Sequence, residues 1–328
     1  MVGETNSTAI PDATRYSPIG KDPMSFVGRS AVVLLASTLL LPLTVSSARG
    51  EQSAEEAAAP AFENKNSLVG GAFDTVGGAA LHLGRDLHEQ LTYPFALASR
   101  DPYRFMMGTA GILALIVSDR ATFTPMSQPT LLPEGTLVGP AQTLSSIGST
   151  RNALPLVLAF GAVGLATGSG REKQTSIMLA EALVTSGLWT SAIKYVAGRE
   201  RPREMHEAVA DWTGPGGMLG EDGNGGGHAS FPSGHATGIW ATATVLAHQY
   251  PTHHIVPTLA YGSAVAISYS RMVVNAHFLS DIVVGGLIGY GCARQVIGSH
   301  DRDNEPSRLQ LLYEPSGDQQ RVGLSLAF

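Results

Sequence analysis

The sequence predicts an all-α fold, a bundle of helices with a short β-hairpin at its C-terminal end. Three observations carry this. Between Leu68 and about Ser299, apolar stretches alternate with Gly, Pro and polar breaks, and no strand-like apolar/polar alternation occurs. The apolar residues cover broad faces, as those of buried helices do. Charged residues make up only 15% of the 328 and hydrophobic ones 44%, well below the usual quarter of charge.

Taken in order, residues 1–48 read as a signal peptide, with an N-terminal membrane anchor as the alternative. Ser30–Ala48 carries no charge, Arg29 precedes it, and Ser46-Ser47-Ala48 offers small residues where a signal peptidase reads. Translation from Met24 would give a leader of ordinary length. Residues 49–67, rich in Ala and Glu, read as a flexible lead-in. Residues 68–299 form the helical domain, with helices expected at Phe105–Val117, Ala153–Ala166, Ser176–Val196, Ala236–Tyr250, Pro257–Ser270 and His277–Val296. Most of their uncharged cores fall short of the roughly 20 residues that cross a bilayer, and the third carries Glu181. A compact bundle lying against a membrane is therefore expected, not a fully inserted one. In the tail, residues 300–328, Leu309–Tyr313 and the alternating Val322, Leu324, Leu326 and Phe328 flank a Pro-Ser-Gly-Asp turn, which predicts the hairpin. No ten-residue alternating repeats precede it, which excludes an outer-membrane barrel.

Composition removes several functions. A net charge of −6 leaves no footprint for nucleic acid. The single cysteine, Cys292, excludes an internal disulfide and a cysteine-based zinc site; it reads as a small core residue. The glycine-dominated run Asp211–Gly227 cannot form regular structure and reads as a mobile loop, and it matches no phosphate-binding Gly-rich motif. His206 with Glu204 and Glu207 lacks a second ligand cluster, so no metal is expected there. His228 and the pair His253-His254 read as loop residues.

Three short motifs remain. Lys194 and Arg201, seven apart, could share a helix face, but Gly198 and Pro202 predict that the helix ends between them. They could be a solvated terminus, or a clamp on phosphate oxygens, Arg201 bidentate and Lys194 a point charge. Phe231-Pro232-Ser233-Gly234-His235 opens an apolar helix, with the proline expected in its first turn. Free N–H groups there suit phosphate; alone, the motif is equally an ordinary cap. Ser270-Arg271 precedes His277 and Asp281, which are four apart and so expected on one helix face. A carboxylate beside an imidazole fixes its tautomer and frees the other nitrogen.

In this order, Lys-x6-Arg-Pro, Pro-Ser-Gly-His and Ser-Arg-x5-His-x3-Asp resemble the full signature of the type 2 phosphatidic acid phosphatase family. Eleven specified positions match, with 29 and 34 residues between motifs. The family shares its helical scaffold with bacterial class A acid phosphatases and vanadium haloperoxidases, so the resemblance implies that bundle. It also implies a metal-independent phosphohydrolase without cofactor. His277 would attack phosphorus to give a phosphohistidine, Asp281 would orient it, and His235 would protonate the leaving oxygen and then activate water. Lys194, Arg201, Ser233, Gly234 and Arg271 would hold the phosphate. The implied substrate is a lipid phosphate or diphosphate or a soluble monoester, met at the membrane on the periplasmic side. Two other functions fit the same residues: a vanadium-dependent haloperoxidase and a non-catalytic, membrane-associated phosphate-binding protein.

Overall fold

The computed structural model describes residues 68–127, 135–205, 210–216, 227–304, 309–316 and 319–326. The leader, the lead-in, His206, Glu207 and most of the glycine-rich run lie outside the described residues. Among the described residues eight α-helices form the fold: α1 Leu68–Arg100, α2 Pro102–Ser127, α3 Val138–Ile147, α4 Thr150–Thr167, α5 Gly170–Ala197, α6 Gly234–Gln249, α7 Ile255–Val273 and α8 Leu279–Asn304. Strands β1 Leu309–Ser316 and β2 Gln319–Leu326 pair antiparallel, Leu309 opposite Leu326.

Six helices fall where the apolar stretches predict them, but most run further. Glu181 lies within α5, as expected, and is paired with His300 on α8. Two helices, α1 and α3, were not expected; α1 mixes Asp86, Glu89 and Gln90 with apolar residues and so shows no long uncharged core. The helices themselves run longer than their uncharged cores, which matters for three segments. Pro102–Phe123, Gly170–Ala197 and Leu279–Asp303 are long and apolar enough to cross a membrane. The first is only 11% buried within the protein, and Tyr103, Met106 and Val117 on α2 point outward, as do Leu154, Leu158 and Leu165 on α4. So much outward apolar surface suits contact with lipid.

Helix α6 is central, packed against α5, α7 and α8. Its contact with α8 is backbone to backbone. A Cβ on Gly285 would meet the Ser233 carbonyl oxygen at 2.4 Å, and one on Gly289 the Thr237 carbonyl oxygen at 2.1 Å. Only glycine permits that approach. One core cluster, Ile193, Phe231, Val284 and Ile288, sits behind the segment leading into α6. Cys292, buried in the same cluster, is the small core residue expected.

Candidate active site

All three motifs come to one end of the bundle: the C-terminal ends of α5 and α7 and the N-terminal ends of α6 and α8. Helix α5 stops as predicted, with Gly198 in the left-handed region at φ +53 as its C-cap. Lys194 is in its last turn, and Arg201 lies beyond in extended backbone, so the two do not share a helix face. They converge by another route. Lys194 Nζ donates to the Ala229 carbonyl at 2.5 Å, and Arg201 Nη2 reaches the same oxygen at 3.3 Å. Arg201 Nη1 lies 3.3 Å from the carbonyl of Ala276, the residue before His277.

The second motif differs slightly from expectation. Helix α6 begins at Gly234, so Pro232 stands before the cap instead of in the first turn. Ser233 is the N-cap, its hydroxyl accepting from Ala236 N at 3.4 Å. A Cβ on Gly234 would meet nothing nearer than Thr190 at 3.9 Å, so no close approach by the protein itself demands glycine there.

The third motif needs a correction. His277 is not on a helix with Asp281: α8 begins at Leu279, and His277 lies in the turn before it. Asn275, at φ 52, turns the chain. The backbone N–H groups of Ala276 and His277 both donate to Arg271 O, at 3.0 and 3.3 Å. Asp281, in the first turn, accepts the Phe278 N–H at 2.9 Å, as the third residue of a capping box does. The spacing of four thus serves a helix start. His277 Nδ1 stands 3.6 Å from Asp281 Oδ2, an ion-pair separation longer than a hydrogen bond.

Behind Asp281 is a buried network that the motifs do not contain. Arg199 Nη1 donates to Asp281 Oδ1 at 2.7 Å and to Ser280 Oγ at 2.8 Å, while its Nη2 donates to Asp119 Oδ2 at 2.8 Å. Ser230 donates to Asp281 Oδ2 at 2.5 Å, and Asp119 also takes the Ser280 N–H and hydroxyl. The Arg199 guanidinium lies over Phe278 at 4.1 Å and Trp212 at 4.9 Å. Arg199 hides among the six unspecified residues of the first motif, and Asp119 lies 75 positions before Lys194. The available signal was an aspartate closing an apolar helix, where an unpaired charge is expensive.

Arg271 and His235 line one cavity of about 740 Å³ with Ser145, Gln142, Arg203 and Val274. Arg271 also donates to Ser145. Burial, followed by the cations Arg271, Arg201 and Lys194, pushes His235 down to about 4. Burial pushes His277 down to about 3 against the pull of Asp281. Burial and then Arg201 bring Arg271 down to about 10. Two neutral imidazoles facing several cations can bind an oxyanion, offer a nitrogen to it and exchange protons with it.

Elsewhere, His253 and His254 are exposed on the turn into α7. The start of the glycine-rich run is pinned, contrary to expectation. Gly214–Gly216 forms a 3-10 turn, Trp212 bridges Arg199, and Thr213 donates to Gly198 O from both its N–H and hydroxyl. Trp212 packs on Phe231 at 5.5 Å, which is what fixes it.

Residues 175–305 match the PAP2 superfamily and contain all three motifs. The chain is 30% identical over 111 residues to a lipid A 1-phosphatase of Rhizobium johnstonii, covering 33% of this chain and 40% of that one. It is 30% identical over 108 residues to a lipid A 1-phosphatase of Rhizobium etli, covering 33% and 42%. The chain thus spans less than half the length of the curated relatives it matches. Among solved structures, LpxE of Aquifex aeolicus is similar at TM-score 0.42 and 22% identity, over 54% of this chain and 93% of that one. A transmembrane PAP2 type phosphatidylglycerolphosphate phosphatase of Bacillus subtilis is similar at TM-score 0.42 and 19% identity, over 61% and 96%.

Proposed function

We propose, from the match of residues 175–305 to the PAP2 superfamily, that the chain is a membrane-associated phosphatase that removes phosphate from a lipid phosphate. The observation that carries this is the meeting of His277, held beside Asp281, with His235 and the cations Lys194, Arg201 and Arg271 at one end of the bundle. The names of the two Rhizobium relatives and the outward apolar helices favour a lipid over a soluble ester.

The geometry supports the following mechanism. Asp281 lies on the Nδ1 side of His277, so Nε2 is the nitrogen free to attack phosphorus. As the N–P bond forms and the P–O bond to the lipid breaks, His235 gives its proton to the leaving oxygen. His235 then takes a proton from water, which attacks phosphorus and breaks the N–P bond. The cations keep His235 neutral before substrate arrives; the negative phosphate offsets them and raises its proton affinity, so His235 takes a proton from solvent on substrate binding and enters the first step as the imidazolium. Lys194, Arg201, Arg271 and the N-terminus of α6 at Ser233 and Gly234 hold the oxygens and stabilise their transition-state charge. The cations supply the charge a metal would, and the reaction needs none. The leader expected at residues 1–48 would export the chain, and the site is proposed to face the periplasm.

The test is phosphate release by purified protein from lipid A, phosphatidic acid and a soluble aryl phosphate, with His277→Ala beside it. Release from a lipid phosphate, reduced by about 10³-fold or more in the variant, is expected from loss of a nucleophile. Retained activity in His277→Ala would overturn the assignment. Vanadate-dependent halide oxidation would replace it with a haloperoxidase, and phosphate binding without turnover with a binding protein.

A further inference from the structure

The other end of the bundle holds a second set of ionisable side chains that phosphate chemistry does not use. His82 on α1, Glu181 on α5 and His300 on α8 each offer one donor atom, and these atoms all lie within 4.8 Å of one another. Among the described residues no other group of three His, Cys, Asp or Glu does so. His300 stands 19 residues beyond Asp281 on α8. At 1.5 Å per residue that is about 28 Å from the phosphate cluster.

Glu181 is the anomaly that starts the argument. It is 7% exposed on a helix long and apolar enough to cross a membrane, where an ionised carboxylate is costly. Its Oε2 lies 2.5 Å from His300 Nε2. The His82 ring stacks on His300 with centroids 5.6 Å apart and planes 13° from parallel. His82 Nδ1 lies 3.1 Å from Arg85 Nη2 and 3.4 Å from Asp303 Oδ2, so that side of the ring is engaged and Nε2 is the nitrogen left to face an ion. A carboxylate behind a ligating imidazole is the usual support in metal sites.

Asp86, one helical turn beyond His82, supplies an independent observation. It is fully buried, its Oδ1 accepts from Gln295 at 3.2 Å, and its Oδ2 has no hydrogen-bond partner. The neighbouring ion pairs do not answer it. Arg85 is committed to Asp303 through two bonds, and its Nη2 also meets Ser299 Oγ and His82 Nδ1, while Arg302 is committed to Glu89 through two more. Asp86 and Glu181 remain as two buried carboxylates in mutual repulsion. A protonated His300 would compensate one of them; a dication compensates both.

We infer that His82, Glu181 and His300 bind a divalent transition-metal ion, with Asp86 and Asp303 in support. Two imidazoles and one carboxylate favour zinc, whereas calcium and magnesium want all-oxygen sites. The ligands come from three helices, so the ion clasps α1 to α5 and α8, and its role is structural. The proposal stands on these residues alone and does not depend on the proposed phosphatase activity.

The experiment uses the full chain in detergent, stripped with a chelator and titrated with zinc. Bound metal is measured after gel filtration, and thermal unfolding in parallel. One zinc per chain is expected, with a rise in unfolding midpoint of about 5–10 °C at a hundredfold excess over Kd. Cobalt in its place should give tetrahedral d–d absorption. His82→Ala and His300→Ala should each abolish the stoichiometric zinc and the cobalt spectrum, while Asp303→Asn should weaken binding about 10–100-fold. The double variant His253→Ala/His254→Ala, at exposed positions, should bind as the parent does. His82 is partly exposed, so its variant should fold and decide the matter even where others do not. Folded parent protein without stoichiometric zinc, or equal zinc in the parent and His82→Ala, overturns the site.

Discussion

Arg199 offers the sharpest perturbation, because it is the buried cation between two buried carboxylates. It is 3% exposed, bonded at 2.7 Å to Asp281, at 2.8 Å to Asp119 and at 2.8 Å to Ser280. In Arg199→Met the volume and the packing against Phe278 and Trp212 are largely kept while the charge is lost. Asp119 and Asp281 are then left facing each other without a counter-ion. Breaking a buried pair this way costs about 3–5 kcal/mol. At about 2–4 °C per kcal/mol for a domain of this size, the unfolding midpoint should fall by roughly 6–20 °C. Adding Asp119→Asn removes one of the stranded charges and should recover part of the loss, a coupling on the order of 0.5–3 kcal/mol. Arg199→Lys should fall between, since an ammonium cannot fork to both carboxylates. Phosphate release should drop as well, up to about 100-fold, because Asp281 loses the bond that aims it at His277. The assay is thermal unfolding of the four proteins in one detergent at pH 7.5, with turnover measured on the same samples. A midpoint for Arg199→Met within about 4 °C of the parent, or no recovery in the double variant, would refute the network's role.

The remaining predictions concern acid stability and the α6–α8 contact. His277 titrates near 3 in the folded protein and near 6.5 unfolded. The unfolded chain therefore binds the extra proton as pH falls below 6.5, and stability should be lost through the window from about 6.5 to 3. The parent should lose up to about 1.4 kcal/mol per pH unit more than His277→Asn across pH 6 to 4.5; parallel curves would contradict this. Gly289→Ala, whose new Cβ would sit 2.1 Å from the Thr237 carbonyl oxygen, should cost about 1–3 kcal/mol by overpacking. Gly285→Ala presses instead on the Ser233 carbonyl oxygen at 2.4 Å, so it should lose activity as well as stability, a split read by unfolding and turnover together.

What could be read in advance, and what could not, divides along a physical line. The residues proposed for the site were legible because a scissile phosphate demands particular side chains at particular spacings, and Lys194, Arg201, His235, Arg271, His277 and Asp281 all arrive at one end of the bundle. The backbone that delivers them was less so. A spacing of four predicts one helix face, yet it spans the turn into α8, where Asp281 caps the helix and His277 stands outside it. Spacing alone cannot separate these, because a first-turn carboxylate and a mid-helix one look alike until the helix start is known.

The supporting frame was missed for a different reason. Arg199, Asp119 and Glu181 belong to no motif, but each places a charge in or beside an apolar segment and so requires a partner. Applied consistently, that requirement links Asp119 to Arg199 and through it to Asp281, and separately directs Glu181 to His300. The partners lie 80, 82 and 119 positions apart, so periodicity over a helical window cannot find them, whereas the cost of an unpaired buried charge does not depend on sequence distance. The charges that look misplaced in an apolar chain therefore mark its two polar ends: one where Arg199 fixes the carboxylate beside His277, and one where Glu181 draws His82 and His300 together.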